Sequence, residues 1–69
     1  MRRTSEEVDL DILRTAQNGI RVTHMIYRNN LSYRSARNHL DSLLKRGLIV
    51  KRGDHFFTTR EGRELLKVR

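Results

Sequence analysis

Cysteine and proline are both missing from this 69-residue chain, and only four aromatic residues, two Tyr and two Phe, are present. Without cysteine there are no disulfide staples, no cysteine–zinc centre and no thiol catalysis. No apolar run comes near the roughly 20 residues that a membrane span requires, and no apolar segment near the N-terminus resembles an export signal. Glycine is sparse. Gly19, Gly47, Gly53 and Gly62 stand well apart, and with no repeat or biased tract nothing reads as a linker. Acidic residues are scarce too: 8 face 15 Lys and Arg, for a formal charge of +7. A chain this short buries only about 60% of its unfolded surface, so its core must be compact. The expectation is one small, basic, cytoplasmic domain whose partner is a polyanion.

The apolar residues fall in short periodic groups. Thr4 and Glu7 have the spacing of a capping box, in which each side chain satisfies an amide of the first helical turn. Glu6, Glu7, Asp9 and Asp11 add negative charge at the positive end of the helix dipole. Val8, Ile12, Leu13 and Ala16 make one apolar stripe, and Gly19 supplies a left-handed stop, which predicts a helix over 4–18. A short second helix is expected over 24–28, with Thr23 as its cap and Val22 stapled to Tyr27. Asn29 and Asn30 tolerate left-handed backbone and mark the turn. Ser32 then caps a third helix over 33–46, with Leu31 stapling onto Ala36. Ala36, Leu40, Leu43 and Leu44 share its apolar side, and Lys45, Arg46 and Gly47 close it.

After Gly47 the period changes. Residues 48–52 and 55–58 are β-prone and separated by Gly53-Asp54, which fits a two-residue type II′ hairpin. A last helix follows Thr59 and contains Leu65 and Leu66. The order helix, helix, helix, hairpin, helix is mainly α with a small β-hairpin (α+β). It is the skeleton of a single winged helix-turn-helix domain over 1–69.

At 100° per residue, Arg34, Asn38, Asp41 and Lys45 of the third helix point away from the apolar side, with Ser35, Arg37 and Ser42 on the shoulders. Such a helix fits the DNA major groove, where Arg forks onto guanine and Asn onto adenine. The N-terminal residues of the second helix of a helix-turn-helix approach the bases. Ser32, Tyr33, Arg34, Ser35, Arg37 and Asn38 hold those places, with Lys45 further along. Residues 28–60 carry eight basic residues against Asp41 and Asp54, a net +6, whereas the first 27 residues are neutral. That one-sided field steers a phosphate backbone. Lys51, Arg52 and Gly53 form the hairpin tip, placed to press on phosphates or the minor groove. The bland reading of the same residues is a solvated helix face and a charge-protected strand edge.

Adjacent strand residues face opposite sides, so Phe56 and Phe57 cannot both enter one core. Ile49 poses the same question from the other strand, and together they hint at a second subunit. His24, His39 and His55 lack metal-ligand spacing. No nucleophile elbow or phosphate loop occurs. Neither a metal, a cofactor nor an enzyme is expected.

Asn30-Leu31-Ser32-Tyr33, Leu40 and Leu43 before Gly47-Leu48-Ile49, and Phe56 through Thr59-Arg60-Glu61-Gly62 before Leu65-Leu66 resemble small archaeal winged-helix DNA-binding proteins, above all the archaeal "ten-a" chromatin-protein family. The resemblance spans residues 12–66. It implies a winged helix that binds double-stranded DNA, commonly as a dimer, in nucleoid organisation or transcription control. It also implies that Phe56 and Thr58 turn inward and Phe57 outward. That family extends its last helix into a long antiparallel coiled coil. This sequence ends at Arg69, so a homodimer is expected to use another surface. Two other readings compete. One is a protein-interaction module built on the outward Phe, Ile49 and the Leu65-Leu66 pair, since fold does not fix function. The other is binding of structured RNA, while the shortage of aromatics speaks against single strands.

Overall fold

The computed structural model describes residues 4–68. Four helices, α1 (Ser5–Thr15), α2 (Val22–Asn29), α3 (Tyr33–Lys45) and α4 (Arg60–Val68), combine with three strands, β1 (Ile20–Arg21), β2 (Ile49–Arg52) and β3 (His55–Thr58). The strands form one antiparallel sheet in the order β1-β3-β2. The α+β winged helix-turn-helix architecture expected from the sequence is present, with one strand more than the hairpin.

Local chemistry explains most element ends. The Thr4 hydroxyl accepts from the Glu7 amide at 3.1 Å and caps α1. The Thr4 hydroxyl in turn donates to the Glu7 carboxylate at 3.2 Å, so the two side chains also meet directly. Ser32 caps α3 by accepting from the Ser35 amide at 3.1 Å. Asn30 ends α2 in the left-handed region at φ 54°, and Asn29, buried, donates its side-chain amide to the Met25 carbonyl at 3.0 Å. Gly53 has φ 62° while Asp54 keeps a negative φ, as a type II′ turn requires.

Three expectations need correction. Helix α1 stops at Thr15, three residues early, because a turn over residues 16–18 precedes Gly19. Gly19 serves packing as well: a Cβ there would strike the Phe57 ring. Helix α2 starts at Val22, two residues early, with Arg21 in the cap position and no side-chain cap bond. Thr23 lies inside the helix, and Tyr27 is 86% exposed, so no staple joins it to Val22. Ile49 is 1% exposed and belongs to the core, which leaves Val50 as the exposed apolar residue of β2.

The core gathers Val8, Leu10, Ile12, Leu13, Ala16, Ile20, Met25, Leu40, Leu43, Leu48, Ile49 and Phe56, with Leu65 and Leu66 of α4 against it. Pleating turns Phe56 and Thr58 inward, as the family resemblance implied, and leaves Phe57 half-buried on the other face. Thr58 is a buried polar residue with a clear task. The last carbonyls of a helix have no intrahelical amide to accept from. The Thr58 hydroxyl donates to the Leu13 carbonyl at 2.6 Å, and its amide to the Ala16 carbonyl at 3.0 Å. Strand β3 thus finishes α1. The Thr59 hydroxyl donates to the Gly47 carbonyl at 2.7 Å and accepts from the Gly62 amide at 3.2 Å, which joins the end of α3 to the start of α4. Gly62 admits no side chain, since a Cβ would collide with the Leu48 carbonyl and with Thr58.

Replacing Thr58 with Val keeps the shape and removes the hydroxyl. Thr58→Val is expected to lower unfolding stability by about 1–3 kcal/mol, the cost of an unsatisfied buried carbonyl. Urea denaturation checks this, and Thr58→Ser, which restores the donor, should recover part of the loss.

Candidate nucleic-acid interface

Helix α3 is two-sided. Ala36, Leu40 and Leu43 are buried, whereas Arg34, Arg37, Asn38, Asp41, Ser42 and Lys45 are exposed. Leu44, placed with the apolar side by its sequence spacing, is 37% exposed on the Arg37 shoulder. Tyr33, at the helix N-terminus, is 56% exposed. The outward flank is covered by neither the hairpin nor α4.

The helix is held from the other shoulder. His39 Nδ1 lies 2.6 Å from the Asp9 carboxylate of α1, and Arg46 reaches the same carboxylate at 3.6 Å. Both His39 and Asp9 side chains are about 15% exposed. Sheltered from water, this contact fixes the rotation of α3 about its axis more firmly than a surface ion pair would. Ser35 and Ser42 line the shallow polar groove beside it, together with Asn38. Of the predicted set, then, Arg34, Arg37, Asn38 and Lys45 share the free flank. Ser32 is committed to capping, and Ser35 turns toward α1.

The wing distributes its charges by the pleat. Lys51 lies opposite Phe56 in the β2–β3 register, and its ammonium sits 5.9 Å from the Phe56 ring centroid. It therefore shares the sheet face of Ile49, the face toward the core. Arg52 is opposite His55 on the reverse face. The two basic residues that sequence reasoning paired are separated. At the tip, Asp54 is exposed but engaged: His55 Nδ1 is 2.7 Å away and Arg21 Nε 3.3 Å. The hydrogen bond from His55, aided by the Arg21 charge, holds the Asp54 carboxyl below its ordinary range. Arg21 was not foreseen at this site. Its strand is two residues long, too short to leave a periodic signal, and only pairing with β3 (Arg21 opposite His55) brings it to the tip.

A family model for winged helix-turn-helix domains matches residues 2–68. The chain belongs to the winged helix-turn-helix family. Membership points to DNA binding in general, by a domain type that is typically not an enzyme. No curated protein matches the chain. In this winged helix, α2 and α3 form the helix-turn-helix and β2–β3 the wing. No helix among the described residues is long and apolar enough to cross a membrane.

The Asp9–His39 contact should matter to stability as well as orientation. Asp9→Ala, which leaves the half-buried imidazole unpaired, is expected to lower stability by about 1–3 kcal/mol. Chemical denaturation of the two proteins side by side gives the number.

Proposed function

We propose that this winged helix binds double-stranded DNA with α3 in the major groove and the wing against the backbone or minor groove. The observation that carries this is the free flank of α3, where Arg34, Arg37, Asn38 and Lys45 are all exposed while the opposite side is locked into the core. Arg34 and Arg37 have the fork geometry that recognises guanine edges or phosphates, and Asn38 the paired donor and acceptor that match adenine. Tyr33 and the Ser32 end of the helix lie at the groove entrance. Lys51 and the turn at Gly53 carry the wing's contact to phosphates. Arg52, turned to the reverse face, is the least suited of the predicted residues to join them. Asp41 sits within the basic flank and discriminates among bases by accepting from cytosine and repelling phosphate.

The role this supports is a transcriptional regulator or chromatin protein of archaeal type, acting at the nucleoid, in keeping with the resemblance to the "ten-a" proteins. The net +6 of residues 28–60 supplies the attraction that precedes specific docking.

Fluorescence anisotropy on a duplex library at several salt concentrations tests the reading. With about five phosphates neutralised, log K should fall against log salt with a slope of roughly −4 to −5. Arg34→Ala and Arg37→Ala should each weaken binding by about 1–3 kcal/mol, and Asn38→Ala should relax base preference more than it lowers affinity. Wild-type binding by all three variants would remove α3 from the interface.

A further inference from the structure

The reverse face of the sheet has no part in the DNA reading. There the β2–β3 register sets Val50 opposite Phe57 and Arg52 opposite His55. The Phe57 ring lies over Gly19, so it is fixed in place, and Val50 beside it is 40% exposed. Around this pair runs an open groove of about 400 Å³, lined also by Gln17, Arg52, Thr59 and Arg63. Its floor is apolar and its rim carries two guanidinium groups, one from the wing and one from α4. No Asp or Glu lines it. Alongside lies β2, an edge strand of the sheet.

We propose that this face docks an extended acidic segment of a partner protein. Apolar side chains of the segment cover Val50 and Phe57, and its carboxylates meet Arg52 and Arg63. Three physical features favour this occupant. Guanidinium and carboxylate form paired, charge-assisted hydrogen bonds that hold an extended chain in register. An edge strand offers backbone groups to such a segment, and alternate side chains then fall on one sheet face. A second copy fits less well, because a two-fold contact brings the same patch to itself and sets arginine against arginine. A duplex fits less well too, since a phosphate backbone has nothing to place over Val50 and Phe57. The groove lies on the sheet face opposite Ile49 and Lys51, so its occupancy does not require α3 to be vacant.

The test uses the full chain, ¹⁵N-labelled and titrated with a short peptide alternating Glu with Leu, then with its Lys-for-Glu counterpart. The proposal expects saturable amide shifts at Val50, Phe57 and Arg63 with the acidic peptide alone, and unchanged signals from Arg34 to Lys45. Arg63→Glu should weaken that binding about tenfold or more, as reversal of a rim charge against an anion does. Val50→Asp, at an exposed site that leaves the core intact, should do the same. Shifts confined to α3 would overturn the proposal, since they report general attraction to the basic flank. So would wild-type affinity in both variants, concentration-dependent shifts at Val50 and Phe57 without peptide, or shifts at those residues on adding duplex DNA. The inference does not lean on the DNA reading: failure to bind a duplex leaves every one of these outcomes readable.

Discussion

Two adjacent threonines hold the architecture together. Thr58 completes the open end of α1 through its hydroxyl and its amide, and Thr59 fastens the end of α3 to the beginning of α4. Thr58 acts on the Leu13 carbonyl in a poorly hydrated interior, where an unmade hydrogen bond is costly, whereas the Thr59 bond to Gly47 lies at the surface. Because the same dipeptide sits at the end of β3, the sheet, three helices and the turn at Gly47 are referenced to one point. The apolar core supplies most of the driving force, but burial is non-directional. The threonines set the geometry. Gly62 is the steric counterpart: it lets α4 approach the Leu48 carbonyl and Thr58 closely enough for this junction to close.

The surface that meets DNA in the proposed reading inherits its rigidity from this arrangement. Helix α3 is clamped at its Ser32 end by its own cap, along its length by Ala36, Leu40 and Leu43, and at its shoulder by His39 on Asp9. Side chains presented from such a helix keep a fixed spacing, which is what reading base edges demands. The wing is organised differently. Its pleat sends Lys51 over Phe56 toward the core face and Arg52 to the reverse face, so one short hairpin serves two surfaces with opposite orientation.

Where the sequence speaks through local rules, structure follows it closely. The caps at Thr4 and Ser32, the Gly53-Asp54 turn and the burial of Ala36, Leu40 and Leu43 each depend on residues within one turn or one hairpin, and each lies where those residues put it. Some departures are local, as at α2, where Arg21 takes the cap position in place of Thr23 and Tyr27 stays exposed, while others involve distant partners. Strand β1 exists because Ile20 and Arg21 meet Phe56 and His55, and two residues carry no periodic pattern. Gly19 reads as a helix stop because glycine tolerates left-handed backbone, and it does take φ 91°, yet the Phe57 ring also decides its neighbourhood. His39 finds Asp9 thirty positions away, and no spacing rule links them. The free flank of the candidate interface was legible from helical periodicity, and the separation of Lys51 from Arg52 follows from the strand alternation that also parts Phe56 from Phe57, whereas Arg21 at the wing tip depends on strand pairing.

The capping of α1 by β3 has a bearing on biosynthesis. Leu13 and Ala16 leave the ribosome more than forty residues before Thr58, the group that completes them. Throughout that interval the end of α1 lacks the Thr58 donors, and its apolar stripe lacks Ile49 and Phe56 as neighbours. The α1 end is therefore closed only once Thr58 has emerged, and a nascent chain cut short before it lacks the group that completes this junction.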